Sequence, residues 1–353
     1  MSIKKKFWHQ VDNGLKGLNR GIPIPLEKLS NFMSNIQQGT YYLLSGSTGS
    51  GKSTIANECF MNYPLQWLQL NPDRQEKYHI EYFNLEIQDV DVSAKLRANW
   101  IFRQTKAKLK LHVDKIFQKG NYFLTREEIE WLKKSDDFMD FMEDNVNFIA
   151  GEEVSIAFVY KRLWECAKKF GRMEVGADGK PQLHTFEQID PNQYVVFLFD
   201  NVNNLNDKAL IDTLSSYFVK FRKSCNFSFV VIQQYNRAQE GEKRTFMEPQ
   251  LSDLKETSRT ADDCNIALLT YTPGRLGLTE YQGYNLEEPF GNYKLGDLIR
   301  FLKIAKNRNG RDNVYVPYLF NGAYGYVKEM PHPDVWRRNE NNVKEQFIKL
   351  FAT

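Results

Sequence analysis

The stretch Gly46-Ser47-Thr48-Gly49-Ser50-Gly51-Lys52-Ser53 decides the fold, because it matches the complete pattern G-x-x-x-x-G-K-[ST] of a phosphate-binding loop. Residues 40–44 before it have the composition of a short buried strand, and residues 54–61 after it are typical of a helix. We predict that this helix ends near Pro64. The order strand, loop, helix is the setting that such a loop needs. The sequence therefore predicts hydrolysis of a nucleoside triphosphate.

The chemistry of phosphate binding assigns a role to each residue type in this loop. Glycines allow backbone N–H groups to wrap a polyphosphate, and the following helix turns the positive end of its dipole toward it. Lys52 is predicted to reach the β- and γ-phosphates, and the Ser53 hydroxyl is predicted to bind Mg²⁺. The predicted nucleotide-binding residues are Gly46, Ser47, Thr48, Gly49, Ser50, Gly51, Lys52, Ser53 and Thr54.

The composition indicates an ordinary soluble globular protein. Of the 353 residues, 42% are apolar and 26% are charged, and the net charge of +3 permits an anionic partner without requiring one. The four cysteines form neither a C-x-x-C pair nor a metal cluster, which suits a reducing cytoplasm. Residues 1–20 lack the apolar segment of a signal peptide, and no apolar run is long enough to span a membrane. We expect a cytoplasmic protein without membrane association.

The pattern of apolar runs predicts the fold class. Strand-like runs alternate with helix-compatible segments, and several of the runs are apolar throughout; they lie at 79–85, 194–199, 227–232 and 265–271. Strands buried on both faces and separated by helices indicate an α/β fold. We expect a largely parallel, twisted sheet covered by helices on both faces.

The same pass along the chain predicts its organisation. Residues 1–20 are expected to form a linker-like segment, residues 21–330 one ATPase domain, and residues 331–353 a tail with one helix. Residues 171–193 contain turn chemistry between two short extended arms, so they are expected to form a surface hairpin inserted in this domain.

Ligands of parallel sheets bind beyond the carboxyl ends of the strands, so polar residues at those ends are candidate site residues. Asp200 ends an apolar strand and either holds Mg²⁺ or begins the next segment as an N-cap. Glu86 follows strand 79–85 and is either a general base for the attacking water or an ordinary solvated side chain. Gln234 is either a contact to the γ-phosphate or a plain polar strand end. Gln233 is expected to face the other way.

Two cations stand near a predicted hairpin late in the chain. Lys306 and Arg308 precede the turn dipeptide Asn309-Gly310. Alternation along a strand puts both side chains on one face. They either contact phosphate or form a solvated hairpin tip.

These runs together resemble the motor domain of DnaB-type replicative helicases, a hexameric RecA-like family. The resemblance covers roughly residues 20–325, and its family-specific parts are Ser252-Asp253-Leu254-Lys255-Glu256, similar to S-D-L-R-E, and Lys306-Asn307-Arg308-Asn309-Gly310, similar to K-x-R-N-G. The other matching runs are Gly21-Ile22-Pro23, the phosphate loop, Phe83-Asn84-Leu85-Glu86, Lys115-Ile116-Phe117-Gln118-Lys119-Gly120, Phe197-Leu198-Phe199-Asp200 and residues 231–237.

The resemblance implies an ATP-dependent helicase that forms a hexameric ring and moves 5′ to 3′ on single-stranded DNA during replication. ATP and Mg²⁺ are the implied cofactors, and replisome proteins are implied partners. Asp200 would be the acidic metal partner, Glu86 the catalytic base and Gln234 the sensor of the γ-phosphate. Lys306 and Arg308 would reach the nucleotide of the neighbouring subunit. The residues implied to contact DNA are Lys255, Glu256 and Ser258.

The chain departs from the family pattern in two places. The family carries a substantial N-terminal domain, which we expect to be lacking here, and residues 1–20 resemble a remnant of its linker helix. Lys255 stands where the family usually has Arg, which keeps the charge and loses the forked geometry.

Two other classes of function stay open. One is a RecA- or RadA-like DNA-dependent ATPase that acts in recombination or remodelling without processive unwinding. The other is a nucleotide-binding subunit without turnover. The S-D-L-K-E run favours the helicase, and the presence of Glu86 argues against loss of turnover.

Overall fold

The structure is a computed structural model that describes residues 2–85, 88–150, 154–205, 207–235, 248–254 and 258–351. Its helices are α1 (Ile3–Leu15), α2 (Glu27–Met33), α3 (Lys52–Asn57), α4 (Tyr63–Leu70), α5 (Asp89–Gln104), α6 (Val113–Ile116), α7 (Arg126–Lys134), α8 (Asp136–Asn145), α9 (Ile156–Phe170), α10 (Lys208–Cys225), α11 (Arg259–Asp263), α12 (Leu295–Leu298), α13 (Pro333–Arg337) and α14 (Val343–Phe351). Its strands are β1 (Tyr41–Gly46), β2 (Lys77–Asn84), β3 (Val146–Ala150), β4 (Gly171–Arg172), β5 (Glu187–Gln188), β6 (Gln193–Asp200), β7 (Ser228–Gln234), β8 (Ile266–Tyr271), β9 (Glu280–Tyr281), β10 (Tyr284–Asn285), β11 (Pro289–Phe290), β12 (Tyr293–Lys294), β13 (Ile299–Asn307), β14 (Val314–Asn321) and β15 (Tyr326–Glu329).

A nine-stranded sheet forms the centre of the fold, in the order β15-β14-β13-β8-β1-β7-β6-β2-β3. The six strands from β8 to β3 run parallel to one another. β13, β14 and β15 extend the sheet, each antiparallel to the strand before it. Parallel strands require crossover connections, and the helices that supply them cover the sheet. The predicted α/β fold with a largely parallel sheet is confirmed.

Helices cover both faces of this sheet, which explains why its strands are apolar throughout. Leu198 and Phe199 are neighbours in β6, and they point into two different hydrophobic cores. α3, α4, α5 and α8 pack on the Leu198 side, whereas α9 and α10 pack on the Phe199 side. Because each strand residue contributes to one core or the other, there is no polar alternation.

The helix that follows the phosphate loop differs from its prediction. It does not end near Pro64, because a π-helical turn at Glu58–Asn62 joins α3 to α4. The wide turn bonds the Tyr63 N–H to the Glu58 carbonyl. Pro64 then stands in the first turn of α4, where its missing N–H costs no helical bond, so the chain stays helical through Leu70.

Two predicted hairpins are present, one of them with a different turn. β4 and β5 pair antiparallel, which confirms the hairpin predicted within 171–193. β13 and β14 also pair as predicted, but the residue with left-handed backbone in their connection is Asn313 rather than Gly310. Part of the irregular segment expected at 238–262 lies outside the described residues.

The ends of the chain and the cysteines also bear on the predictions. α1 presents exposed apolar side chains, among them Ile3, Phe7 and Leu15. α14 forms in the tail, and Phe347 and Phe351 pack into a third core with β13. The four cysteines are free and buried. Across the described residues, no helix has the length and apolar character that crossing a bilayer requires.

One buried carboxylate lies far from the phosphate loop. Glu81 of β2 is fully buried and accepts hydrogen bonds from His79, from Asn147 at 3.0 Å and from Arg162, whose Nη2 is 2.8 Å from both carboxylate oxygens. The Cys166 thiol also donates to it, at 3.4 Å. Burial opposes ionisation of Glu81, but the hydrogen bonds from its neighbours outweigh it and hold its pKa below the ordinary value. These contacts leave the carboxylate paired and satisfied, which indicates a structural role.

Candidate nucleotide site

The phosphate loop has the backbone that its glycines predict. It connects the fully buried β1 to α3, which begins at Lys52. Gly49 and Gly51 have φ angles of 71° and 87°, a region that favours glycine. Gly46 has no room for a side chain, since a Cβ there would lie 1.8 Å from the Thr270 hydroxyl oxygen. Each glycine of this loop is therefore required either by backbone conformation or by close packing.

Asp200 lies beside the start of the loop helix, as the strand-end rule predicts. Its Oδ1 accepts a hydrogen bond from the Ser53 hydroxyl at 2.8 Å, and the residue is 2% exposed. The N-cap alternative does not fit, because the turn after β6 is capped by Asn201, whose Oδ1 accepts from the Asn203 N–H at 3.1 Å. A hydroxyl and a carboxylate side by side are the oxygen ligands that Mg²⁺ takes, so this pair fits the ion.

A cavity of about 210 Å³ lies over the loop. Its floor is formed by loop residues, including Gly51, Lys52 and Ser53, and its far wall by Asn201 and Gln234. Within the loop, the Lys52 ammonium donates to the Ser47 carbonyl at 2.7 Å. The predicted phosphate-binding residues and Gln234 therefore line one space.

Gln233 and Gln234 face different ways, as alternation along β7 predicts. Gln234 lines the cavity, and its backbone N–H donates to Asn203 at 2.6 Å. Gln233 is fully buried, and its Oε1 accepts from the Thr260 hydroxyl of α11 at 2.6 Å. The two amides thus connect the cavity on one side with α11 on the other.

The structure keeps Lys306 and Arg308 together and away from the cavity. Both bind the backbone of α11: Lys306 donates to the Asp262 carbonyl at 2.9 Å, and Arg308 donates to the same carbonyl at 2.7 Å. Arg308 also donates from its backbone to Asn265, which in turn bonds to Tyr41 at the start of β1. The phosphate loop follows the other end of β1, so neither cation reaches the loop of its own chain.

Several predicted residues lie outside the described part of the chain. Glu86, Lys255 and Glu256 are among them, so their placement is a matter of prediction. Ser258 is described, and it is exposed at the start of α11. Leu254 pairs with Tyr235 just beyond β7, which brings the start of the 252–258 segment to the carboxyl edge of the sheet.

Sequence reasoning missed three residues that contact the loop from the β8 side. Thr270 bonds to the Ser50 hydroxyl at 2.8 Å, and the Phe320 ring leaves no room for a Cβ at Gly51. Arg275 donates from Nη1 to the Gly49 carbonyl at 2.8 Å. Arg275 lies in the turn directly after β8, so the strand-end rule applied to β8 would have found it.

Comparison with known proteins supports the same class of fold. No protein-family model matches the sequence. No curated protein matches it either. Among solved structures, the chain is similar to an isolated ATPase domain of a DnaB-like helicase, with a TM-score of 0.65 and 16% identity, covering 94% of this chain and 99% of that one. It is also similar to a DnaB-like replicative helicase studied with primase, with a TM-score of 0.61 and 16% identity, covering 88% of this chain and 64% of that one.

The fold is that of a RecA-like ATPase domain. Its structural neighbours are the ATPase domains of DnaB-like replicative helicases, as the resemblance in the sequence predicted.

Proposed function

We propose that this chain is an ATP-dependent DNA helicase, a ring-forming motor that moves 5′ to 3′ on single-stranded DNA during replication. One observation carries the proposal. The phosphate loop, Ser53 and Asp200 form a site at one end of the sheet, while Lys306 and Arg308 sit toward the other end of the same chain. A second copy is needed to bring those cations to a nucleotide, and a closed ring is the symmetric way to repeat such a head-to-tail contact.

The proposed reaction is hydrolysis of the terminal phosphoanhydride. Glu86 takes a proton from water, the water oxygen forms a bond to the γ-phosphorus, and the bond from phosphorus to the bridging oxygen of ADP breaks. Ser53 and Asp200 would hold Mg²⁺, which supplies neutralising charge to the phosphate oxygens when bound. Lys52 binds those oxygens from its own chain, and the neighbour's Arg308 stabilises the charge of the transition state. Gln234 contacts the γ-phosphate and reports its loss.

The 252–258 segment is proposed to bind the DNA backbone. A motor that tracks any sequence gains from phosphate contacts rather than base contacts. A few contacts for each subunit, repeated around the ring, suffice for a chain whose net charge is only +3. The four buried thiols support a cytoplasmic location. Replisome partners, the hexameric state and the boundaries 1–20, 21–330 and 331–353 remain predictions.

The experiment that tests this function measures hydrolysis and unwinding together. Purified protein is assayed for phosphate release with and without single-stranded DNA, and for separation of forked duplexes carrying a 5′ or a 3′ tail. We expect DNA-stimulated hydrolysis and unwinding of the fork with the 5′ tail, both abolished in Lys52→Ala. Stimulated hydrolysis without strand separation would favour the recombinase-like alternative. Absence of hydrolysis in both conditions would refute the motor.

A further inference from the structure

The proposed function fixes the direction in which a nucleotide lies in this site, so the location of its base rests on that function. Asp200, Asn201 and Gln234 are on the β6 and β7 side of the loop, where the terminal phosphate is proposed to sit. The phosphate chain crosses the loop from there. Its nucleoside therefore leaves on the opposite side of β1, toward β8 and β14.

Arg275 stands on that side. It lies in the short turn Pro273–Leu276 directly after β8, and it is exposed. Its Nη1 donates to the Gly49 carbonyl at 2.8 Å, which anchors the guanidinium at the rim of the loop. Within the described ranges, the Gly49 carbonyl is the polar partner of this side chain. The anchored group keeps donors and a flat face for a ligand.

A second guanidinium lies behind the loop on the same side. Arg300 is 2% exposed, and its Nη1 donates to the Asp297 and Ile299 carbonyls, each at 2.9 Å. Its Nε has no hydrogen-bond partner among the described residues, and its guanidinium lies 5.5 Å from the centre of the Phe320 ring. Burial and the nearby charge of Arg275 lower the pKa of Arg300 to about 10.

The charges of these two arginines are not balanced locally. Among the ion pairs of the described residues, neither Arg275 nor Arg300 has a carboxylate partner. The β8 side of the loop is therefore positive, and the group at its rim is planar. An aromatic ligand attached to a phosphate chain matches both properties, because a base can stack on a guanidinium while its phosphates meet the positive field.

We propose that Arg275 forms one wall of a nucleobase subsite, supplied by the same chain that holds the phosphates. Its guanidinium stacks on the base while the Gly49 carbonyl fixes its position. Stacking uses the face of the base, which every base has, so this wall binds adenine, guanine and cytosine nucleotides with similar affinity.

The test compares nucleotides with a ligand that has phosphates and no base. Binding of ATP, ADP, GTP, CTP and inorganic tripolyphosphate is measured by titration calorimetry without DNA for the natural protein and for Arg275→Ala. Arg172→Ala is the matched control, since Arg172 is exposed in the hairpin strand β4. We expect Arg275→Ala to weaken each nucleotide about five- to thirtyfold, the range of a partly desolvated cation–π contact, and to leave tripolyphosphate unchanged.

The tripolyphosphate measurement also serves as the check that the loop is folded. A loss for tripolyphosphate equal to the loss for nucleotides would show that Arg275 acts through the loop and would overturn the base subsite. Unchanged nucleotide binding in Arg275→Ala would overturn it as well. Failure of the natural protein to bind any of these ligands would instead refute the proposed function, so the two failures are distinguishable.

Discussion

The sharpest consequence of the structure is that two inactive variants should restore each other. Arg308 begins at the level of Tyr41, because both connect through Asn265. The loop begins at Gly46, at the far end of β1, which is about 17 Å away at the rise of a strand. That span exceeds the reach of an arginine side chain, so each proposed active site takes its arginine from a neighbour.

The expected recovery follows from counting interfaces. Lys52→Ala removes the cation of a protomer's own loop and leaves its Arg308 intact, and Arg308→Ala does the reverse. Each pure variant is expected to lose about a thousandfold or more in hydrolysis, the lower end of what a trans-acting arginine contributes. In a random equimolar mixture, an interface is complete when both halves are natural, which happens with a chance of about one in four. The mixture should therefore reach about a quarter of the natural rate.

The assay is steady-state phosphate release with single-stranded DNA, after the variants have been mixed and allowed to exchange subunits. Varying the mixing ratio should give a curve that is zero at both ends and highest at equal amounts. The control replaces the Lys52→Ala protein with the Lys52→Ala/Arg308→Ala double variant, which can complete no interface. If the mixture stays at the level of this control while subunits demonstrably exchange, or if Arg308→Ala alone keeps full activity, the inference of a shared site is refuted.

Three further perturbations test other contacts. Asp200→Asn should raise the Mg²⁺ concentration needed for half-maximal hydrolysis at least about tenfold, because a charged ligand oxygen is lost; an unchanged Mg²⁺ titration would contradict this. Arg162→Ala should lower the free energy of unfolding by about 3 kcal/mol at pH 7, measured by urea denaturation, since it strips the buried Glu81 of its ion pair. The pKa of Glu81 is lowered in the folded protein, so this contribution is present above the unfolded pKa and should fade as the pH falls through the folded one; a difference that persists unchanged at about pH 3 would oppose that assignment. Thr260→Val should keep basal hydrolysis and lose most of its stimulation by DNA, because it breaks the bond to Gln233; full stimulation of this variant in the phosphate-release assay would show that the bond carries no coupling.

Much of the fold was readable because the relevant signals are local. A strand buried on both faces must be apolar throughout, so β6 and β7 were predicted to within about two residues at each end. The phosphate loop is a single run whose glycines have one conformational reason each. The helix end near Pro64 was predicted wrongly because a π-helical turn shifts the register by one residue, and no local residue preference announces that shift.

The contacts that complete the site were not readable because they join distant parts of the chain. Arg275 meets Gly49 across 226 residues of sequence, and the contact depends on the path taken after β8. In the same way, the partners of Lys306 are backbone carbonyls of α11, which have no side-chain signature. Residue type and strand order could place Lys306 and Arg308 on one face, but only the folded chain shows that this face lies away from the loop.

The small helix α11 links the three parts of the proposed machine. It begins at Ser258, where the segment proposed to bind DNA ends. Its Thr260 hydroxyl bonds to Gln233, the neighbour of the proposed γ-phosphate sensor Gln234. Its last carbonyls hold Lys306 and Arg308. A shift of the DNA-binding segment therefore moves the same short helix that positions the neighbour's cations and touches the sensor strand. This explains how DNA binding could change the hydrolysis rate through direct contacts, with no larger rearrangement of the sheet. It is also the reason that the Thr260→Val variant separates coupling from catalysis: the variant leaves the loop, the metal ligands and both cations in place and removes one bond of that connection.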